Sequence, residues 1–179
     1  PICPYLGYMC CKQAIVRQMP GRIIGMTEDT EGKRGFALTL QAREQHIRRG
    51  KATSNICTNQ GLLVTAATIY MSLMGDEGIR NIAAKCHNGI KKLLAGASSI
   101  EGVDKRFDHP VFHEAVLSLP IPASEVIGMM AEHGILAGYD LGLVDERLSH
   151  CMLTNVTETK TDEDIELFVA TLRSVLEAK

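Results

Sequence analysis

The amino-acid sequence predicts a mixed α/β protein, in which helices pack against short β-strands. Three observations favour this class. Two short apolar segments flank a charged turn that contains glycine, and the middle of the chain carries apolar residues at helical spacing. Strand-like and helix-like segments then alternate over the remainder. A chain of 179 residues is long enough for one ordinary core or for two small subdomains.

The composition is that of a soluble globular protein, with 45% hydrophobic and 22% charged residues. The net charge is −2, so no global field favours nucleic acid or an anionic membrane. No uncharged stretch is continuous enough to span a bilayer, and none opens the chain like a signal peptide. We therefore expect a cytoplasmic protein that is not bound to a membrane.

The six cysteines show no C-x-x-C pair, which favours reduced, mostly buried thiols in a reducing compartment. They are Cys3, Cys10, Cys11, Cys57, Cys86 and Cys151. His109 and His113 lie four residues apart, but Pro110 separates them and the flanking pattern is typical of a strand. A metal site at these histidines is therefore a weak hypothesis.

The chain opens with an apolar stretch, residues 1–11, that predicts a buried strand. A natural N-terminus is usually polar and loosely held, so we expect this chain to begin inside a domain. Residues 12–17 predict a short helix or turn, and Pro20 with Gly21 predicts a turn. Arg22 follows the turn. It is either a surface charge or an anion contact, because a guanidinium suits carboxylate or phosphate groups.

A β-hairpin is predicted next, with strands at Ile23–Thr27 and Gly35–Leu40 and a charged turn at residues 28–34. We expect its tip to be exposed and its base to be apolar.

A basic stretch from Arg43 to Arg49 follows the hairpin and includes Arg48. No aromatic residue interleaves with these charges and the whole chain is acidic, so nucleic-acid binding is not expected. Salt links to a partner surface, or contacts to an anionic ligand, are the preferred interpretations.

The run from Lys51 to Gln60 is the most distinctive feature of the sequence, because polar side chains crowd just before a long apolar helix. A helix N-cap needs one such residue, and this run supplies several. The surplus indicates either a cap cluster or a surface that faces a ligand, and it comprises Thr53, Ser54, Asn55, Thr58 and Asn59. Cys57 is either a reactive thiol near the helix N-terminus or a thiol packed beneath it.

Two helices are predicted in the middle of the chain. The first covers residues 59–74 and ends at Gly75, and the second runs from Asp76 to about Leu94. Lys91 and Lys92 are expected to complement the dipole at its end. The small residues at 96–99 then break the pattern, and we expect an internal boundary there.

The last third predicts strands at Val111–Leu117, Ile135–Leu136 and His150–Val156. A helix is predicted at Ser124–His133, with Met129 and Met130 as core residues. A final helix should be capped at residues 161–164. Its predicted inward positions are Ile165, Leu167, Phe168, Leu172 and Val175. These elements form a small α/β subdomain.

The sequence contains no G-x-G-x-x-G, no P-loop, no H-E-x-x-H and no nucleophile elbow. Reasoning from residue chemistry therefore ends at an α/β protein with a polar, partly basic patch over residues 43–60.

Several motifs closely resemble the P-protein of the glycine cleavage system, a glycine dehydrogenase (decarboxylating). The resemblance is best to subunit 1 of its two-subunit bacterial form. The motifs are Met19-Pro-Gly-Arg-Ile, Gly32-Lys-Arg-Gly-Phe, Thr39-Leu-Gln, Arg43-Glu-Gln-His-Ile-Arg-Arg and Lys51-Ala-Thr-Ser-Asn-Ile-Cys-Thr-Asn-Gln, with Pro4-Tyr-Leu-Gly and Leu153-Thr-Asn-Val-Thr-Glu in agreement.

The resemblance implies a fragment of a fold-type-I pyridoxal-phosphate enzyme. On this basis residues 1–75 form the end of the large domain, residues 76–95 form a linking helix and residues 96–179 form the small C-terminal α/β domain. The reaction it implies is glycine decarboxylation followed by aminomethyl transfer to the lipoyl arm of a carrier protein. The implied partners are glycine dehydrogenase subunit 2, in a heterotetramer, and the lipoyl carrier protein (H-protein).

In that family the cofactor's lysine stands in a His-Lys dipeptide of the other subunit, and this chain has no such dipeptide. The resemblance thus implies that pyridoxal phosphate is held by subunit 2 and that none binds to this chain alone. It places Thr53, Ser54, Asn55, Cys57 and Thr58 near the shared pocket, and it makes Arg43, Arg48 and Arg49 subunit-interface or anion contacts. Arg22 is counted with them as a partner or anion contact because of its residue chemistry. A module that only mediates subunit association, or self-association of the fragment, is the alternative.

Overall fold

The computed structural model describes residues 7–41, 49–52 and 60–178 of the chain. The chain divides into two compact units, residues 2–73 and residues 74–179. Both strands and helices are present, which confirms the predicted α/β class.

The first unit contains the predicted hairpin. Strand β1 (Arg22–Glu28) pairs antiparallel with strand β2 (Arg34–Gln41), after a 3-10 helix at Gln13–Gln18. In the turn, the carboxylate of Asp29 accepts hydrogen bonds from the backbone N–H groups of Glu31 and Lys33, both at 2.9 Å. An aspartate that bonds to backbone groups two residues ahead is typical of a tight turn, so the turn chemistry matches the predicted hairpin.

The predicted strand at residues 1–11 is wrong for the part that the structure describes. Residues 7–12 have no regular structure, and Tyr8, Met9 and Cys10 are exposed. Apolar composition predicts burial only where another element packs on the segment, and none of the described elements buries these residues. Residues 1–6 lie outside the described residues.

Helix α1 (Gly61–Ala97) contains both of the predicted central helices, separated by the non-helical Gly75 at φ 62° and ψ −175°. A positive φ favours glycine, so the predicted stop is confirmed. The second helical segment continues three residues beyond Leu94, because Leu93 and Ala97 are part of the core.

The second unit holds a four-stranded antiparallel sheet in the order β3-β4-β6-β5. Its strands are β3 (Asp104–Lys105), β4 (Glu114–Ser118), β5 (Tyr139–Asp140) and β6 (Cys151–Asn155). The predicted strand at residues 111–117 therefore begins late, because its partner β6 ends at Asn155, opposite Glu114.

The predicted strand at Ile135–Leu136 is wrong. The backbone N–H of Ile135 donates to the carbonyl of Met130 at 3.0 Å, which closes the end of the preceding helix just after Gly134. The Leu136 side chain is 94% exposed. These residues form a helix terminus, and strand pairing starts at Tyr139 instead.

Helices α2 (Ala123–Glu132) and α3 (Asp162–Glu177) confirm the two predicted C-terminal helices. Thr161 and Asp164 form a capping box: the backbone N–H of Asp164 donates to Thr161 Oγ1 at 3.2 Å, and that of Thr161 to Asp164 Oδ2 at 3.0 Å. Two 3-10 helices, Leu141–Leu143 and Glu146–Leu148, lie between β5 and β6.

The core of the second unit lies between its sheet and its three helical segments. Its most deeply buried side chains are Ile90, Val103, Leu117, Val126, Met130, Met152 and Leu172. The core role of Met130 is thus confirmed. Leu167 is 58% exposed, so its predicted inward position is wrong; Ile165 and Phe168 already occupy the inward stripe of α3. Among the described helices, none has the length and apolar character needed to cross a membrane.

Candidate functional site

The whole predicted pocket wall, the rest of the polar surplus and two of the predicted partner or anion contacts lie outside the part of the chain that the structure describes. The residues concerned are Arg43, Arg48, Thr53, Ser54, Asn55, Cys57, Thr58 and Asn59. Their roles stay predictions. The described flanks are a 3-10 helix at Arg49–Lys51, whose residues are exposed, and Gln60, which is also exposed.

Helix α1 follows the polar run directly, and its hydroxyl groups are engaged within the helix. Thr65 donates to the carbonyl of Gly61 at 3.0 Å, Thr68 to Val64 at 2.8 Å and Ser72 to Thr68 at 2.7 Å. A hydroxyl proton used in this way is not available to a ligand. Candidate ligand donors near the start of this helix are therefore those of residues 51–60.

Arg22 is the first residue of β1, and its side chain is exposed opposite Gln41. Gly21 precedes it with φ 87°, a backbone conformation that glycine adopts readily. The Pro-Gly turn thus delivers Arg22 to the start of the hairpin. Arg22 and Arg49 are both exposed, and neither forms an ion pair with another of the described residues.

A cleft of about 70 Å³ lies beside this turn. Its lining residues are Val16, Arg17, Met19, Gly21, Ile23, Leu40 and Gln41. Arg17 therefore reaches the cleft, whereas Arg22 is not among its lining residues. The sequence pattern missed Arg17 because a lone cation in a short helical segment carries no signal of its own. Ligand sites for drug-sized molecules or cofactors usually measure roughly 300–1,000 Å³, so this cleft fits a small ion or water.

The described lysines do not fit covalent attachment of a carbonyl cofactor. A lysine that forms such a bond must lose its proton, which desolvation in a pocket promotes. No lysine among the described residues is buried. Lys105, which is half-buried, donates to the carbonyl of His109 at 2.8 Å, and Lys92 pairs with Asp162.

Cys86 is the described cysteine with a perturbed environment. Its Sγ donates to Glu158 Oε2 at 3.8 Å, and the thiol is buried. Burial raises the pKa of the Cys86 thiol, and the neighbouring Glu158 carboxylate raises it further. The thiol therefore stays protonated, which makes it a poor nucleophile.

The four described cysteines test the prediction of reduced, mostly buried thiols. All four described cysteines are free, and Cys86 and Cys151 are buried. Cys11 is half-buried and Cys10 is exposed, so two of the four described cysteines are buried. Cys3 and Cys57 lie outside the described residues.

An aromatic and imidazole cluster lies where α1 meets the segment before β4. The His87 ring stacks on Phe112 with centroids 6.3 Å apart, and its Nδ1 lies 3.3 Å from the Phe112 carbonyl. The Phe112 ring meets His113 edge-on at 5.3 Å, and His113 Nε2 lies 3.8 Å from Glu114 Oε1. No group of three or more metal-binding side chains occurs among the described residues. This cluster thus joins the helix to the sheet.

A groove of about 530 Å³ runs between α1 and α3. It is lined by Lys92, Ala95, Gly96, Asp162, Ile165, Glu166, Val169, Ala170 and Arg173. Lys92 Nζ contacts Asp162 Oδ1 at 2.6 Å, and Arg173 donates to Ser99 Oγ at 2.9 Å. Lys92 was expected to complement the end of its helix and instead bridges to α3. These partners lie about seventy residues apart, which sequence spacing does not reveal.

Comparison with known proteins covers nearly the whole chain. A family model described as "Glycine cleavage system P-protein" matches residues 3–172. "Probable glycine dehydrogenase (decarboxylating) subunit 1" of Alcanivorax borkumensis is 56% identical over 97% of this chain and 38% of the relative. The protein of the same description from Nitrosomonas europaea is 55% identical over 98% of this chain and 39% of the relative.

A solved structure is also similar: "Crystal structure of glycine decarboxylase (P-protein) of the glycine cleavage system, in inhibitor-bound form". It is 39% identical with a TM-score of 0.77, over 91% of this chain and 37% of that chain. This match confirms the expected fold class, an α/β part of a fold-type-I enzyme. The chain spans about 38% of the length of the subunit 1 relatives that it matches.

Proposed function

This chain belongs to the glycine cleavage system P-protein family, and from that membership we propose that it is part of a glycine dehydrogenase (decarboxylating) subunit 1. As part of that subunit it contributes one wall of a site for glycine decarboxylation. The aminomethyl group that remains passes to the lipoyl carrier protein. The observation that carries this proposal is the 56% identity to a subunit 1 relative over 97% of the chain.

Pyridoxal phosphate is the cofactor that we propose for the complete enzyme, where its ring would accept the electron pair left on the glycine α-carbon when the carboxylate departs as carbon dioxide. The lysine that holds it belongs to subunit 2. Two observations on this chain support that assignment: the sequence has no His-Lys dipeptide, and no described lysine is buried.

The proposed role of this chain is to bind and orient. Thr53, Ser54, Asn55 and Thr58 would line the shared pocket with short hydrogen-bonding side chains, and Cys57 would lie near them. The hydroxyls of the adjacent helix α1 already bond to backbone carbonyls, which supports assigning ligand contacts to the run itself. Arg22, Arg43, Arg48 and Arg49 would contact subunit 2 or an anionic group. The complete enzyme is proposed to be a cytoplasmic heterotetramer.

A chimera tests this proposal. The chain replaces the matched segment of the Alcanivorax borkumensis relative, and the chimera is reconstituted with subunit 2, the lipoyl carrier protein and pyridoxal phosphate. We expect release of carbon dioxide from glycine, and a roughly tenfold loss in the Ser54→Ala and Asn55→Ala variants, since each removes one hydrogen bond to a bound group. Thr65→Ala is the matched control, because the Thr65 hydroxyl already donates to the Gly61 carbonyl within the helix. Full activity in both alanine variants would contradict the assignment of the run.

The second candidate is a module that only mediates subunit association, which is favoured by the exposed apolar residues of the first unit. Titration of the chain alone with pyridoxal phosphate tests a further possibility, namely that a lysine of this chain itself holds the cofactor. An absorption band of a lysine-bound cofactor on the isolated chain would contradict both candidates, because the first assigns the lysine to subunit 2 and the second assigns no chemistry to this chain.

A further inference from the structure

The two-stranded hairpin carries one continuous apolar face. Ile24 pairs with Leu38 and Met26 pairs with Phe36 across the antiparallel ladder. Residues directly opposite each other point to the same face, and so do residues two apart on one strand. These four side chains, here called the hairpin face, are each more than half exposed.

The opposite side of the hairpin is different in chemistry. Gly25 pairs with Ala37 and Thr27 pairs with Gly35, so small or polar residues occupy it. A Cβ atom on Gly25 would lie 2.5 Å from Thr39 Cγ2, so a side chain does not fit at that position. Alternation of this kind is typical of a sheet with one buried and one solvated face. The hairpin face is therefore built to be covered.

Nothing in the described part of the first unit covers it. None of the described residues between positions 7 and 73 is buried. A two-stranded hairpin on its own is marginally stable in water, and it needs further strands or packing against another element. The cover must come from polypeptide other than these described residues.

We propose that the hairpin face packs against the part of the subunit 1 polypeptide that lies outside the segment spanned by this chain. The relatives are much longer, since the chain accounts for 38% of the Alcanivorax borkumensis protein. A segment of the same polypeptide is held at high effective concentration, which favours it over a separate molecule. The four side chains carry no charge and include a phenylalanine and a methionine. Such a composition is typical of a permanently covered interface.

This inference depends on membership of the family and not on the proposed reaction. The first test co-expresses the full chain with the remaining part of the Alcanivorax borkumensis relative as a separate polypeptide. We expect the two to co-purify, and Met26→Glu or Phe36→Glu to lower the recovered complex at least tenfold. Thr27→Glu and Ala37→Glu are matched controls on the opposite side, and we expect them to leave the complex intact. Equal recovery in all four variants would overturn the proposal, as would chain that associates with itself through Met26 in preference to the added polypeptide.

A second measurement does not require the separated polypeptide to fold. In the full-length chimera, Met26→Cys is made or, as a control, Thr30→Cys in the exposed turn. We expect maleimide labelling at position 26 to be at least tenfold slower than at position 30, with subunit 2 absent. Rapid labelling at position 26 that becomes slow on addition of subunit 2 would assign the hairpin face to subunit association and overturn the proposal.

Discussion

Gly89 of α1 and Val156, the residue after β6, approach so closely that a Cβ atom on Gly89 would lie 2.6 Å from Val156 Cγ1. Real Cβ contacts of this length essentially do not occur. Both residues are buried, and they are far apart in the sequence. The absence of a side chain at Gly89 therefore sets how closely helix and sheet pack in the second unit.

Gly89→Ala is expected to lower the free energy of unfolding by about 1–3 kcal/mol, because the added methyl group forces Val156 or the helix to move. The measurement is chemical denaturation of the full chain followed by far-UV circular dichroism. Gly128→Ala is the matched control, since no atom lies within 4 Å of a Cβ at that position in α2. There alanine is expected to stabilise by about 0.5–1 kcal/mol. A Gly89→Ala protein as stable as the Gly128→Ala protein would contradict the steric argument.

The capping box of α3 supplies a second prediction. Thr161→Ala removes the acceptor for the backbone N–H of Asp164, and we expect it to cost about 1 kcal/mol. Thr161→Ser keeps the hydroxyl and is expected to cost much less. The comparison uses the same denaturation measurement, and equal losses in both variants would show that the methyl group, not the cap, matters.

Cysteine reactivity is expected to follow burial. At pH 8 a thiol reagent should modify exposed Cys10 at least roughly tenfold faster than Cys86, whose pKa is raised by burial and by Glu158. Labelling sites are identified by mass spectrometry. Glu158→Gln removes the negative charge, so the pKa of Cys86 should fall and its labelling at fixed pH should accelerate. Glu177→Gln, an exposed carboxylate elsewhere, is the control.

The raised pKa of Cys86 also has a consequence for stability. The folded state holds this proton more tightly than the unfolded state does, so the contribution is fully present below the unfolded thiol pKa of about 8.5. It is lost as the pH rises through the higher folded pKa. Cys86→Ala should therefore flatten the decline of stability on the alkaline side. An unchanged alkaline decline would show that another group is responsible.

The basic stretch is expected to strengthen association with subunit 2. Arg43→Glu, Arg48→Glu and Arg49→Glu in the chimera should each reduce co-purification with subunit 2, and the loss should diminish as salt screens the charges. Lys91→Glu is the matched control, because Lys91 is an exposed cation on α1. Losses of equal size for Lys91→Glu would indicate an effect of net charge and not of the basic stretch.

Much of the fold follows from local patterns in the sequence. The charged turn predicts the hairpin, Gly75 predicts the break in α1, and Thr161 predicts the start of α3; the structure confirms each of them. These signals are read locally because turns, stops and caps use hydrogen bonds or backbone conformations within a few residues. The strand predicted at Ile135–Leu136 is wrong because apolar residues alone do not show how the backbone is hydrogen-bonded. The Ile135 N–H donates to the Met130 carbonyl and closes the preceding helix.

The candidate site could be predicted from the sequence only in part. Its polar run and basic stretch stand out in the sequence, and the resemblance to the P-protein gives them a role, which stays a prediction for residues outside the described part. Arg17 beside the small cleft and the His87–Phe112 stack gave no signal in the sequence. Each depends on residues brought together by folding.

By itself, the sequence determined the α/β class, the family, the break at Gly75 and the start of α3, because these depend on local backbone chemistry and on identities along the chain. The tertiary structure alone decided which apolar residues are buried. Leu172 and Leu167 lie on the same helix, yet Leu172 is fully buried and Leu167 is 58% exposed. Met26 and Phe36 are as apolar as the core residues and remain uncovered in this chain. Burial requires a partner surface. The hydrophobicity of a side chain favours burial, but it does not show which residues will cover that side chain.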